Sequence, residues 1–523
     1  MEMCTPFLLT DLDGADQHFP GERPALLCFV KEDCPTCREV MPLLAALQAK
    51  LAATMDLRII GQTREGNHTL AQTHGVSVLD DSALKVAFAY SVETVPTVYV
   101  TDVQGRLQST LVGFVRDEWL ELVRELLGEA ACDALLDWSK LPAWRPGCGS
   151  LSVDPVIAER LQAEAENSPL RARRIEVASQ DDEFEFMFDQ GFSDGLPLVP
   201  PTPERVLRML AGTSRDAQDV VAVMPPNMAE VTVEKIAVNA VMAGCRPEYL
   251  PVVITAVEAV CTDEYNVHGM MATTMGASPV MVVNGPIRER LGMNMKLGAL
   301  GQGNRANATI GRALRLVLRN MGGARPGGTE RSTLGNPMKF TMCFAEWEER
   351  SPWSALHVER GFQPEDSVIS IFTMTSGPTL IVDQDSRTAS QLAGSFGMSL
   401  ESAFHPKAHF ATEVLLVICP EHVDTLIRDG YSKADIRARI QEVTARPVRD
   451  LVADERSAVG FKQAQAQQMD EAALSRLLPK FKNDEDVHIV VAGSDAGKFS
   501  GAFHGWATGE IGSMPVSKKI EEV

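Results

Sequence analysis

Two cysteines three residues apart, in Cys34-Pro35-Thr36-Cys37, carry the clearest chemistry in the chain. They follow a run of strand character at 26–30 and open a stretch of helical character at 38–51. A sulfur at a helix N-terminus lies among unpaired N–H donors and the positive end of the helix dipole, which lowers its pKa and makes it nucleophilic. Cys34 is therefore expected to be the exposed attacking thiol. Cys37, one turn into the helix, is the resolving thiol that attacks the resulting mixed disulfide. A metal reading of this pair needs a second pair of ligands at compatible spacing, and the chain has no second CxxC.

Cys148 sits between glycines in Pro146-Gly147-Cys148-Gly149-Ser150. It reads either as a third thiol that exchanges electrons with Cys34 and Cys37 or as a small residue in a turn. Cys245, in Gly244-Cys245-Arg246-Pro247, closes a helical stretch; it either faces a cleft, with Arg246 favouring its thiolate, or packs as a small apolar residue. Core packing is expected for Cys261, Cys343 and Cys419. Gly301, Gly303, Asn304 and Arg305 precede a helix expected at 309–320 that also carries Arg312. Glycines before a helix N-terminus, with two arginines, suit a phosphate or carboxylate, although the spacing is not that of a dinucleotide fingerprint. Arg312, Arg315 and Arg319 also recur as a solvated helix face would.

His405 and His409 stand four apart with Glu413 four further on, so a continuous helix would put all three on one face as metal ligands. Pro406 and the β-rich run at 413–419 argue that any helix there is short. A metal ion is the one cofactor the pattern leaves open. Glu346, Glu348 and Glu349 form either a general-base cluster or a surface ion-pair network. The loop Gly493-Ser494-Asp495-Ala496-Gly497-Lys498-Phe499-Ser500 resembles a phosphate loop but is one residue short, with Phe where Ser or Thr would hold magnesium.

Behind these residues stand elements that must position them. In residues 1–130, short β-rich runs (25–30, 55–61, 97–102, 107–114) alternate with helical stretches, the last at 116–127, as in an α/β domain. Residues 131–190 read as a linker holding the Gly-Cys-Gly segment, and 180–188 as an exposed acidic stretch. Residues 191–523 read as a larger mixed α/β domain, with strands at 279–284, 413–419 and 487–492 and helices at 233–242, 309–320 and 421–429. The 523 residues carry 49 Lys+Arg against 70 Asp+Glu, a net charge of −21. That balance argues against nucleic acid or an anionic membrane as partner. No basic, apolar leader is visible at the start, so the cytoplasm is the expected compartment, where ten cysteines are not a disulfide scaffold.

The strand–CPTC–helix order, Pro42 five residues after Cys37, Thr94-Val95-Pro96-Thr97 before a strand, and Gly113 in the following hairpin resemble the thioredoxin fold over about residues 20–130. The stretch at 80–100 is similar to TlpA-like thioredoxins. The resemblance implies a cis proline at Pro96 facing the CxxC, with neighbours that bind extended substrate backbone. Two positions depart from it. Asp33 replaces the aromatic residue before the first cysteine and would oppose its ionisation, and Cys28 falls where a buried carboxylate accepts a proton. The larger region resembles uncharacterised C-terminal halves of bacterial proteins with a thioredoxin-like domain in front, which implies no reaction.

The expected function is a redox enzyme whose dithiol exchanges electrons with a small anionic or thiol-containing substrate held by the larger domain. A lyase or hydrolase using a C-terminal cysteine or a metal, with the first domain as a docking module, is the alternative. A redox-regulated scaffold is a third, and an enclosed polar cleft near 301–312 would count against it. A homo-oligomer stays open.

Overall fold

A computed structural model describes residues 3–165, 168–175, 177, 182–509 and 512–521. The chain forms two compact units, Met1–Ile175 and Glu176–Val523. Most of the expected linker thus folds with the first unit. Of the acidic stretch, residues 180 and 181 lie outside the described residues, and Glu183–Asp189 is a helix.

In the first unit the strands are β1 (Phe7–Thr10), β2 (Asp16–Phe19), β3 (Ala25–Val30), β4 (Asp56–Gly61), β5 (Val78–Asp80), β6 (Thr94–Val95), β7 (Thr97–Thr101), β8 (Leu107–Val112), β9 (Phe114–Val115), β10 (Trp144–Arg145) and β11 (Cys148–Gly149). Its helices include α1 (Pro35–Leu51), α2 (Arg64–His74), α3 (Lys85–Ala89) and α4 (Arg116–Leu127). The main sheet has five strands in the order β5-β4-β3-β7-β8. β3 runs parallel to β4 and antiparallel to β7. Every residue of β3 is buried, because a central strand covered on both faces shows no polar alternation. Pro35 opens α1, where its missing N–H costs nothing. Val40, Met41, Leu44, Leu47 and Leu51 supply the stripe that α1 buries on the sheet. The peptide bond Val95–Pro96 is cis, as the resemblance implied. This is a thioredoxin-like fold, with CPTC between the central strand and its helix.

The second unit is built on a seven-stranded mixed sheet whose path is Cys343–Ala345, Ser278–Asn284, Val368–Val382, Phe499–Ala507, Thr412–Ile418 and Val487–Val491, with Val516–Lys519 pairing to Val368–Val382. Ser278–Asn284, Thr412–Ile418 and Val487–Val491 are wholly buried, the mark of strands covered on both faces. The helices Val233–Ala243, Leu250–Val260 and Arg305–Asn320 pack together. The last begins four residues before the expected start, because Asn304 caps it by accepting from the Asn307 N–H at 3.0 Å. No helix among the described residues is long and apolar enough to cross a membrane.

Candidate functional site

Cys34 is the N-cap of α1, in extended conformation, and its sulfur accepts the Cys37 backbone N–H at 3.4 Å. The thiols of Cys37 and Cys148 both lie within hydrogen-bonding reach of that sulfur. The Cys37 thiol is the largest influence on Cys34. Burial opposes it, while Cys148 and the N–H groups of Cys37 and Thr36 add to it, and the Cys34 thiol falls to about 5. Burial pushes the Cys37 thiol well above its ordinary range, and the neighbouring Cys34 thiolate holds it there. Cys148 is raised too, chiefly because it donates to Cys34. Of the three thiols, Cys34 is the one held low and its two neighbours are held high.

The sequence placed Cys34 in solvent, yet it is 0% exposed, as is Cys37. The chain itself covers it. Residues 144–152 run back across the site: β10 pairs with β9, and β11 pairs antiparallel with β6, placing Cys148 opposite Val95 and Gly149 opposite Thr94. The Val95 carbonyl oxygen also lies 3.5 Å from the Cys34 sulfur. Thr36 Oγ1 donates to the Pro146 carbonyl at 2.5 Å, and Lys31 Nζ to the Gly149 carbonyl at 3.3 Å. Arg145 pairs with Glu39 at 2.9 Å. Gln62 and the Val92 carbonyl fix the Ser150 and Ser152 hydroxyls. Gly147 has no alternative, since a Cβ there would lie 2.2 Å from the Thr94 side chain and 2.5 Å from the Val95 carbonyl. Beneath the strap, Gly113 N–H donates to the Pro96 carbonyl at 2.7 Å.

Asp33 does not act as expected, because it pairs with Lys31 at 3.4 Å and Cys34 remains low. Cys28 is buried and its thiol is pushed far up, so no proton acceptor stands there.

In the second unit the expected substrate residues separate. Arg305 lines a cavity of about 290 Å³ with Gly244, Cys245 and Arg246. Arg312 instead grips the Asp194 carboxylate at 2.9 and 2.8 Å and the carbonyls of Leu196 and Pro197. Asn304 is spent on its cap, and Gly301 and Gly303 are exposed outside the cavity lining. Arg315 is buried, donating to the Lys339 carbonyl, so the three arginines are no solvated face. Cys245 is no nucleophile: burial pushes its thiol up to about 12, and it donates to the Thr309 carbonyl at 3.4 Å.

His405 and His409 share no helix face, because residues 401–411 are turns and bends. His405 Nδ1 accepts the Lys407 N–H, His409 faces the Pro479 carbonyl, and Glu413 takes His488 at 2.9 Å. Among the described residues no group of three His, Cys, Asp or Glu could hold a metal ion. Glu346 is fully buried and accepts from Asn284, whereas Glu348 and Glu349 form an ion-pair network with Arg288 at 3.0 and 2.8 Å, Glu349 at the surface. In the phosphate-like loop, the Gly497 N–H is taken by Glu421 at 2.8 Å.

Cys419 is buried in the core as expected, at 4% exposed, but its position gives it more than a packing role. It is the N-cap of the helix Pro420–Arg428, after the strand Thr412–Ile418. His422 Nδ1 lies 2.7 Å from Ser500 Oγ, which is 3.7 Å from the Cys419 sulfur, and His422 Nε2 faces the Asp383 carbonyl at 3.0 Å. Burial opposes ionisation of Cys419, but His422 outweighs it and the thiol is lowered, while His422 is raised in return. The signal was legible: Cys419-Pro420-Glu421-His422 repeats the strand–Cys-Pro–helix grammar of CPTC, with histidine in the fourth place.

No family model and no curated protein matches the chain. Solved structures resemble about a quarter of it. StoA from Bacillus subtilis is 20% identical over 23% of this chain and 96% of its own, with a TM-score of 0.21. A secreted Mycobacterium tuberculosis disulfide oxidoreductase homologous to E. coli DsbE is 22% identical over 23% and 96%, with a TM-score of 0.21. A thiol-disulfide oxidoreductase from Bacteroides fragilis is 19% identical over 24% and 100%, with a TM-score of 0.22.

Proposed function

We infer that the first unit is a thiol–disulfide exchange module in which Cys34 alternates between Cys37 and Cys148. The carrying observation is that Cys148 is zipped opposite Val95, whose carbonyl lies 3.5 Å from the Cys34 sulfur, while Cys37 and Cys148 are both among the groups that hold the Cys34 thiol low. In the reductive direction the Cys34 thiolate attacks a disulfide, bonding to one sulfur and releasing the other as thiolate. Cys37 then gives up its proton and attacks Cys34, which expels the bound sulfur. The substrate gains two electrons, with one proton from Cys37 and the second from solvent because Cys34 starts ionised, and the dithiol becomes Cys34–Cys37. Cys148 enters by exchange alone: its thiolate attacks Cys34 of that disulfide, giving Cys34–Cys148 and freeing Cys37, with no net change of oxidation state.

β11 occupies the strand edge where the thioredoxin resemblance places extended substrate backbone. Peptides are therefore excluded while the strap is seated, which favours one dedicated small thiol or disulfide, and tethering gives Cys148 an effective concentration in about the millimolar range. The coupled reaction and its substrate are assigned to the second unit, and the cytoplasm to the whole, as parts of the same proposal. The test is the full chain carrying Cys37→Ser, treated with oxidised glutathione and mapped without reduction. A Cys34–Cys148 linkage is the expected product. If Cys34 is recovered only as its glutathione adduct with Cys148 free, the exchange between them is refuted.

A second reading, a hydrolase or lyase with the first unit as docking module, is favoured by the Cys419–His422 pair. It expects a reaction that survives Cys34→Ser with Cys37→Ser and is lost with Cys419→Ser.

A further inference from the structure

The cavity in the second unit collects four guanidinium groups from three separate segments. Arg205 and Arg208 lie three apart on the helix Pro203–Leu210. Arg246 follows the turn that ends the helix Val233–Ala243, where Gly244 takes a left-handed conformation at φ +87°. Arg305 is the first residue of the helix Arg305–Asn320, whose N-terminal dipole adds positive potential.

These arginines are not neutralised as several others in this unit are. Arg215, Arg288, Arg312, Arg350 and Arg437 each pair with a carboxylate in this unit. Among the described residues, none of the four has a carboxylate within 4.0 Å. Arg205 donates to the Pro200 carbonyl at 2.8 Å and Arg305 to the Gly244 carbonyl at 2.9 Å, contacts that orient each group without neutralising it. Arg208 and Arg246 are exposed side chains. Clustered like charges repel, so four of them around one concavity in a chain of net charge −21 call for an anion to compensate them. Guanidinium groups meet carboxylate and phosphate with paired, charge-assisted hydrogen bonds.

Size and wall narrow the ligand. Val199, Met209 and Val241 line the rest of the space, so its occupant has an apolar side as well as charge. A volume of about 290 Å³ admits roughly ten waters' worth of ligand, far less than a dinucleotide. The protonated Cys245 thiol in the lining offers no nucleophile, which makes this a binding site and not a place of covalent chemistry.

We propose that the cavity formed by Arg205, Arg208, Arg246 and Arg305 binds a small organic anion bearing at least two negative charges. Phosphate esters and dicarboxylates share that chemistry. The site stands on charge and shape alone and is independent of the thiol exchange. Isothermal titration of the full chain with glycerol phosphate in one arm and succinate in the other tests it. One arm should bind saturably at one site per chain and weaken as salt rises from about 50 to 200 mM. Arg208→Gln and Arg246→Gln should each weaken binding by about tenfold or more, as loss of a charge-assisted contact does. Arg331→Gln, an exposed arginine outside the lining, should leave affinity unchanged. The same affinity is expected with Cys34 and Cys37 both changed to serine, so failure of the thiol exchange leaves the result readable. Absence of saturable binding in both arms up to about 10 mM, weaker than any functional site in the millimolar range, overturns the proposal. So does binding that persists in the Arg208→Gln, Arg246→Gln double variant.

Discussion

Replacing Cys148 by alanine measures how much of the Cys34 acidity comes from the strap. The Cys34 thiol stands at about 5 against an ordinary 9.0. Cys37 contributes most, with Cys148 and two backbone N–H groups behind it and burial working against them. A hydrogen bond to a charged group is worth about 1.5–3 kcal/mol, and about 1.4 kcal/mol corresponds to one pKa unit. Water entering the vacated space restores part of the lost bond, so Cys148→Ala should raise Cys34 by about one unit. At a pH of about 5.5 the thiolate fraction then falls from about three quarters to about one quarter, while at neutrality it stays near nine tenths. The assay is the rate of iodoacetamide capture at Cys34 across acidic pH, with the site located by peptide mapping. The midpoint should rise while the plateau rate also rises, since the strap no longer shields the sulfur. A midpoint at or below that of the unmodified chain refutes the reasoning, because Cys148 would then not be a donor to Cys34.

Gly147→Ala should lift the strap and speed capture of Cys34, whereas Gly149→Ala, whose Cβ meets nothing within 4 Å, should leave the rate unchanged; equal rates for both would remove the close-packing argument. Because the folded-state pKa of Cys34 is depressed, its stabilising effect is complete above the unfolded value near 9.0 and is lost as pH falls through about 5. Urea unfolding of the reduced chain should therefore show a margin over Cys34→Ser that grows from about pH 5 to pH 8, and a flat margin would contradict the ionisation. Arg312→Ala leaves the Asp194 carboxylate, only 11% exposed, without its bidentate partner, and should cost the second unit about 2 kcal/mol in urea unfolding. No change in the unfolding midpoint would show that the 194–197 turn is held by other contacts.

What the residues disclose unaided is local. Strand β3 and helix α4 were drawn in the sequence at the limits the structure gives them, because an unbroken apolar run and a clean amphipathic repeat each encode their own conformation. Cys34 at a helix start and its resolving partner were legible for the same reason, being set within a few residues of chain, whereas the cis Pro96 came only from the resemblance to the thioredoxin fold. Cys148 reads in the sequence either as a third thiol or as a small residue in a turn, and its register opposite Val95 was not legible: that pairing joins residues 53 apart through backbone groups, which carry no sequence signal. Arg305 and Arg312, seven residues apart on one helix, looked equivalent, and only the arrival of Asp194 beside one of them made one a structural clamp and left the other facing a cavity. Cys419 looked apolar from its neighbours and became ionisable when Ser500 and His422 closed on it, since a thiol's charge depends on what surrounds it in space. Element identity follows from periodicity along the chain. Charge state, burial and partnership follow from packing between distant segments, and those decided which of the candidate residues can do chemistry.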